Sequence, residues 1–376
     1  GRRRWYVVMD VGTDPVTGRR RQKWHGSWAT KKEAERALTK ILGGVLDGTY
    51  VEPDRVTVRG FLIDEWLPAM KTRLRPSTHR LYETLATAYT IPRIGEVRLQ
   101  RLSPSHLNRL YADLLERGAR EGKPLGAETT RKVHRLLHRA LRDAVKWGRV
   151  ARNAAADADP PRAPRPQLRA WEASHLSALL EQTRDDRLSA LWQLLATTGL
   201  RRAEALGLRW MDIDLDEARL SVRQTLAYVG TKASFSEPKT GSSRRLVTLA
   251  PSTVESLRAH KARQAQERLA LGPAYASFDL VFAHPDGTAL NPATVSRSFD
   301  ALVKAAELPK LTLHGLRHTF ATLALLDGIP SKVVAEILGH SSTRVTEDTY
   351  QHVTPGMKAD ATARVAALLR RSLDAR

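Results

Sequence analysis

TLHGLRHTFATLA, residues 312–324, sets two histidines and an arginine close together in an otherwise apolar stretch. At about 100° per residue from His314, Arg317 falls near 300° and His318 near 40°, while Leu316, Phe320 and Leu323 gather between about 180° and 240°. The pattern is that of a helix with a polar trio facing away from its apolar stripe. Three readings fit the trio. Histidines at i and i+4 resemble a helical zinc pair, but Gly315 stands where the usual glutamate base would be, and an arginine between two ligands repels a cation. A solvated polar face is the second reading. The third is an anion site, since a guanidinium fork and imidazole donors both suit phosphate oxygens.

Bulk composition bears on that choice. The chain has 376 residues, 61 Lys and Arg against 40 Asp and Glu, and a formal charge of +21. Such an excess favours a polyanionic partner, either nucleic acid or an anionic lipid surface. The hydrophobic fraction is 42% and the aromatic fraction 6%, ordinary for a water-exposed globular chain of two or three domains. No apolar run reaches membrane-spanning length and the cationic start is not followed by a signal-peptide core, so the expected setting is cytoplasmic, without membrane. The absence of cysteine removes disulfides, thiolate metal sites and cysteine nucleophiles.

Along the chain, three regions and a linker separate. Residues 1–55 open with RWYVVMDV and RQKWHGSW, two strand-like runs around a turn, and continue into a helix with Thr30 and Glu33 as capping box. This small α+β module is expected to hold a three-stranded sheet plus one helix, with a basic edge at Arg19, Arg20, Arg21 and Lys23. Residues 56–158 read as all-α. Their best helix, ETTRKVHRLLHRALRDAVKWGRV from Glu128, sets Arg135, Arg139, Arg142 and Lys146 within about 80° of Arg131, opposite Val133, Leu136, Leu137, Ala140, Leu141 and Ala144. A stripe of like charges repels itself unless a phosphate backbone offsets it, although solvated basic faces are common. Residues 159–168 form a proline-rich linker, and 169–376 a mainly α domain with a small antiparallel sheet.

In that last region TTGLRRAEALGLRW, EPKTGSSRRLVTL, HGLRHTFATLAL and LGHSSTRVTEDTYQHV follow one another. Together they closely resemble the tyrosine recombinase (phage integrase) family, over the whole of the chain from about residue 168. The helical middle is similar to that family's core-site-binding domain, and the hairpin and helix to the arm-binding module of its three-domain integrases. The resemblance implies the tyrosine recombinase catalytic fold, with Arg201, Lys239, His314, Arg317, His340 and Tyr350 as catalytic residues and Glu204 and His318 in support. None of these positions departs from the family pattern.

The residue types suit the chemistry so implied. Attack on a phosphodiester loads charge onto its non-bridging oxygens, which two arginine forks stabilise without a metal. A phenol with an ordinary pKa near 10 needs its proton taken, a role that falls to His314. His340 donates to the phosphate, and Lys239 protonates the departing 5′ oxygen. The product is a 3′-phosphotyrosine, reversible without ATP, metal or other cofactor. Singly, Arg201 and Lys239 read as solvated cations and Tyr350 as a packing residue; Arg202, Arg244 and Arg245 read as surface cations or backbone-phosphate contacts, and His352 has no role. The expected partners are double-stranded DNA at core and arm attachment sites, a homotetramer on two duplexes, and DNA-bending and directionality factors. Integration and excision of a mobile element is the leading function. The alternatives are a type IB topoisomerase-like enzyme and a non-catalytic architectural DNA-binding protein. A terminal helix at 357–373 docks either on its own subunit or on a neighbour.

Overall fold

A computed structural model of the chain describes residues 4–13, 17–46, 50–164, 169–238, 244–340 and 342–350. The chain divides into two compact units between Pro164 and Arg165. None of the described helices is long and apolar enough to cross a membrane.

In the first unit, β1 (Trp5–Thr13) and β2 (Arg20–Trp28) pair antiparallel and turn Val7 and Met9 toward Ala34 of α1 (Lys31–Leu46). The capping box forms as the sequence indicates: the Glu33 amide donates to Thr30 Oγ1 and the Thr30 amide to Glu33 Oε2, each at 3.3 Å. The sheet differs from expectation, having two strands rather than three among the described residues. Around Pro53, which has no amide proton to give a ladder, the backbone is satisfied by the Gln100 side chain. Gln100 donates to the Glu52 carbonyl at 2.6 Å and accepts from the Asp54 amide at 3.1 Å.

The rest of this unit is helical, as read: α2 (Val58–Gly60), α3 (Leu67–Met70), α4 (Pro76–Thr84), α5 (Ile91–Ile94), α6 (Pro104–Arg117) and α7 (Ala127–Lys146). Two π-helical stretches, Phe61–Trp66 and Leu85–Thr90, run directly into Pro68 and Pro92. A proline ring clashes with the carbonyl four residues back in a regular helix, and the wider turn relieves that clash. α7 buries Val133, Leu136, Leu137, Ala140, Leu141 and Ala144, the face its periodicity marks as apolar.

The second unit begins with α8 (Ala173–Gln182), α9 (Ser189–Thr198) and α10 (Arg202–Leu206). Next come β3 (Ile213–Asp214), β4 (Arg219–Ser221), β5 (Thr225–Val229), β6 (Lys232–Ser236) and β7 (Leu246–Thr248). The helices α11 (Pro251–Leu271), α12 (Pro292–Ala305), α13 (Leu313–Leu326), α14 (Ser331–Leu338) and α15 (Thr343–Tyr350) follow. The strands form two small antiparallel sheets, β3-β4-β7 and the hairpin β5-β6, where one was expected. Trp192, Phe282 and Phe299 fill the main core, and Ala321, Leu325, Val334 and Leu338 close a smaller one between α13 and α14.

Gly199 ends α9 in the left-handed region, at φ 59°. A Cβ there would stand 2.7 Å from Leu338 Cδ2 and 2.8 Å from Phe320 Cδ1. Gly199→Ala should therefore cost about 1–2 kcal/mol through its backbone alone, and more through the clash. Urea unfolding of the full chain measures this; an unchanged midpoint would show that α9 can end differently.

Candidate active site

Three carbonyls at the end of α14 organise the site. Each of Ile337, Leu338 and Gly339 accepts a hydrogen bond from a different arginine. Arg245 Nε donates to Ile337, Arg317 Nη2 to Leu338 at 2.7 Å, and Arg201 Nη2 to Gly339 at 3.2 Å. The last carbonyls of a helix have no partners within it, and Gly339, left-handed at φ 65°, ends α14 there. Arg317 Nη1 also donates to the Gly199 carbonyl at 2.8 Å, so one guanidinium spans the ends of α9 and α14. Only 4% of Arg317 is exposed. It is therefore no part of a solvated face, because α13 is enclosed by α9 on one side and α14 on the other.

Glu204 is the anionic centre of this cluster. It is 3% exposed, accepts from Arg201 Nη1 at 2.7 Å and from Arg245 Nη2 at 3.0 Å, and takes the Arg201 amide at 3.0 Å. Burial pushes its carboxyl pKa up, but the charge and hydrogen bond of Arg245, with the Arg201 amide and guanidinium, outweigh that and hold it below its ordinary value. Glu204 is thus ionised and keeps both arginines in place.

The histidines line the same cluster. His314 and His318 stack edge to face at 4.8 Å, and Thr312 caps their helix by accepting the Gly315 amide at 3.2 Å. His340 follows Gly339 directly, with Nδ1 2.7 Å from Thr346 Oγ1 on α15. Desolvation, then the charge of Arg317, Arg201 and Arg202, lowers the pKa of His314 although part of its surface reaches solvent. Burial, with His314 and Arg317, brings His318 down to about 4; burial, with Arg317, Arg201, Arg245 and His318, brings His340 down to about 4. All three rings are therefore neutral near pH 7. Among the described residues no group of three or more His, Asp or Glu side chains is arranged to hold a metal ion.

Arg201, Glu204, His314, Arg317, His318 and His340 are thus assembled in one place. Lys239 lies outside the described residues, as do His352 and the 357–373 segment. Tyr350 is the last residue of α15, and its side chain also lies outside the described residues. By sequence Arg245 reads as a surface cation or a backbone-phosphate contact; the fold instead encloses its side chain, 7% exposed, against Glu204. The signal was present: Val247 is buried and Leu246 exposed on β7, so the same alternation puts Arg245 on the inward side. A cation there needs an acidic partner, and Glu204 is that partner. Arg202 also has a definite place, donating to the Pro292 carbonyl at 3.1 Å and to Ser296 Oγ, which ties α10 to α12.

Of the basic residues in the first unit, Arg19 and Arg20 are exposed, while Arg21 and Lys23 stand on β2 with side chains outside the described residues. On α7, Arg131, Arg135, Arg142 and Lys146 are exposed. Arg139 instead lies over the Tyr82 ring at 5.9 Å. The stripe is also less uniformly cationic than its spacing implies, since Arg135 pairs with Glu128 at 2.6 Å and Arg142 lies 3.7 Å from Asp143.

Residues 167–357 match the model of the phage integrase family, residues 1–44 that of an arm DNA-binding domain, and residues 60–115 that of the phage integrase N-terminal SAM-like domain. A tyrosine recombinase XerC-like protein of Caldanaerobacter subterraneus subsp. tengcongensis is 27% identical over 381 residues, covering 96% of this chain and 95% of its own. The fold is similar to the Tn1549 transposon integrase solved with a circular intermediate DNA, with a TM-score of 0.68, 21% identity, and coverage of 82% of this chain and 99% of that one. It is also similar to a lambda integrase solved as a tetramer bound to a Holliday junction, with a TM-score of 0.57, 19% identity, and coverage of 88% and 92%. Fold and matches define a tyrosine recombinase, mainly helical with small antiparallel sheets. The chain belongs to the phage integrase family, whose enzymes carry out site-specific DNA recombination and integration.

The half-buried histidines His318 and His340 give the fold a pH dependence of definite sign. Unfolded, His318 and His340 take up protons from about pH 6.5 downward, whereas folded they resist until about 4. The unfolded state then binds more protons, so stability falls as pH drops through that window. The thermal midpoint should already decline between about pH 6.5 and 5, above the range where most carboxylates titrate. A flat midpoint over that interval would contradict the depressed pKa values of these rings.

Proposed function

We propose that this integrase cuts and rejoins double-stranded DNA at attachment sites through a 3′-phosphotyrosine formed by Tyr350, integrating a mobile element and, with accessory factors, excising it. The observation that carries the reading is the convergence of Arg201 and Arg317, from distant parts of the chain, on the adjacent carbonyls of Gly339 and Leu338 immediately before His340. Such a cluster is preorganised for an anion, and developing charge on phosphate oxygens is stabilised most by donors already in place.

In the cleavage step the Tyr350 phenol oxygen bonds to phosphorus and the bond from phosphorus to the 5′ oxygen breaks. His314 takes the phenol proton. Its lowered pKa keeps the ring unprotonated and able to accept, and the incoming phosphate charge offsets the arginines that depress it. Arg201 and Arg317 hold the non-bridging oxygens, His340 donates to one of them, and Lys239 returns a proton to the leaving 5′ oxygen. Glu204 and His318 order the groups around them. A 5′-hydroxyl from a second duplex then reverses the chemistry.

Residues 1–55 serve as the arm-site module, with Arg19, Arg20, Arg21 and Lys23 at its basic edge. Residues 56–158 bind the core site, where Arg131, Arg135, Arg142 and Lys146 meet phosphates and Arg139 joins them on leaving Tyr82. Residues 159–168 link these to the catalytic domain, 169–376. Four subunits act on two duplexes, in the manner of the lambda integrase tetramer on a Holliday junction, assisted by DNA-bending and directionality factors.

A suicide DNA substrate carrying the attachment site tests the chemistry. The intact chain should form a covalent adduct with the 3′ end, and Tyr350→Phe should form none; an adduct with the phenylalanine variant would exclude Tyr350 as nucleophile. Arg201→Lys and Arg317→Lys should each slow cleavage by about 10²–10³-fold while DNA binding changes little, since lysine supplies no fork. Near-normal cleavage by either variant would contradict the clamp.

A further inference from the structure

Thr346 is a part of the site that the chemistry above does not use. It is fully buried on α15, one turn before Tyr350, and its hydroxyl lies 2.7 Å from His340 Nδ1. A threonine hydroxyl has one proton to give, and leaving that proton without an acceptor in a buried site is costly. Helical threonines commonly give it to the carbonyl four residues back. Here the partner is His340 Nδ1. An Nδ1 that accepts this proton carries none of its own, so the neutral ring holds its proton on Nε2. The opposite tautomer would leave the hydroxyl proton unsatisfied and present a bare Nε2 lone pair, which repels a phosphate oxygen.

We propose that Thr346 is a positioning residue for strand cleavage: its hydroxyl donates to His340 Nδ1, fixes the imidazole as the Nε2–H tautomer, and so makes His340 a hydrogen-bond donor to the scissile phosphate. The same bond ties the helix that carries Tyr350 to the phosphate site. It rests on the reading of His340 as a phosphate donor. Because desolvation and then the neighbouring arginines keep the ring neutral, its tautomer rather than its charge decides whether it can donate.

Nitrogen NMR of the full chain, with His340 assigned by comparison with a His340→Ala variant, should find the proton on Nε2. A proton on Nδ1 would overturn the proposal without recourse to any Thr346 variant. Two substitutions then separate hydroxyl from shape. Thr346→Val keeps the volume and loses the donor, and should slow single-turnover cleavage of a suicide substrate at least about tenfold with DNA binding retained. Thr346→Ser keeps the donor and should recover most of that rate. The reverse order, with valine near wild type and serine slowed, would show that Thr346 only packs and would overturn the proposal. His340→Ala is the control for the underlying reading. If it cleaves normally, the role of His340 fails and this inference with it; if it is slow while Thr346→Val is not, this inference alone fails.

Discussion

The structure of the site depends on a guanidinium held inside the protein. Arg317 places a fixed positive charge where water is nearly excluded, and such a charge is tolerated only when acceptors surround it. The Gly199 and Leu338 carbonyls at two helix ends supply acceptors, at 2.8 and 2.7 Å. Hydrogen bonds to charged groups contribute about 1.5–3 kcal/mol each, so the arrangement fixes the fork and also joins α9, α13 and α14. Both helix ends need a left-handed glycine, Gly199 and Gly339, to aim their last carbonyls this way. The backbone geometry of two turns thus determines where a charge in the proposed active site stands.

Around that point the charges are deliberately unequal. Glu204 is held ionised between Arg201 and Arg245, while Arg317 leans on carbonyl oxygens. The surplus positive charge has two consequences that belong together. It adds to desolvation, the larger cause, in lowering the histidine pKa values, keeping the rings neutral and their tautomers meaningful, and it leaves the cluster suited to a phosphodiester anion. Arg245 contributes to both, and also anchors the strand that follows the Lys239 segment to the end of α14 through Ile337.

Much of this was legible in the sequence wherever the governing interaction is local. The Thr30 and Glu33 cap and the apolar face of α7 follow from spacing alone, and both form as read. Non-local interactions were harder to read. The helical wheel places Arg317 opposite an apolar stripe, but whether that side meets water or other helices depends on α9 and α14 arriving from elsewhere in the chain. Arg139 fits the cationic stripe by angle, yet its long side chain finds Tyr82, which no helix periodicity includes. Gln100, from a distant segment, satisfies the backbone beside Pro53, a pairing no local pattern announces. Arg245 shows the intermediate case: strand alternation marks it as inward-facing, but only the fold supplies Glu204 as the reason.

The central claim is that Arg201 and Arg317 are aimed at the scissile phosphate before DNA arrives, by backbone carbonyls that do not move when it does. The most direct measurement is a structure of the full chain on a duplex with its core site and orthovanadate at the cleavage position, mimicking pentavalent phosphorus. The account predicts equatorial vanadate oxygens within hydrogen-bonding distance of both guanidiniums, with the contacts to Leu338 and Gly339 retained. Equatorial oxygens held by other groups, with either arginine turned away or released from its carbonyl, would contradict it.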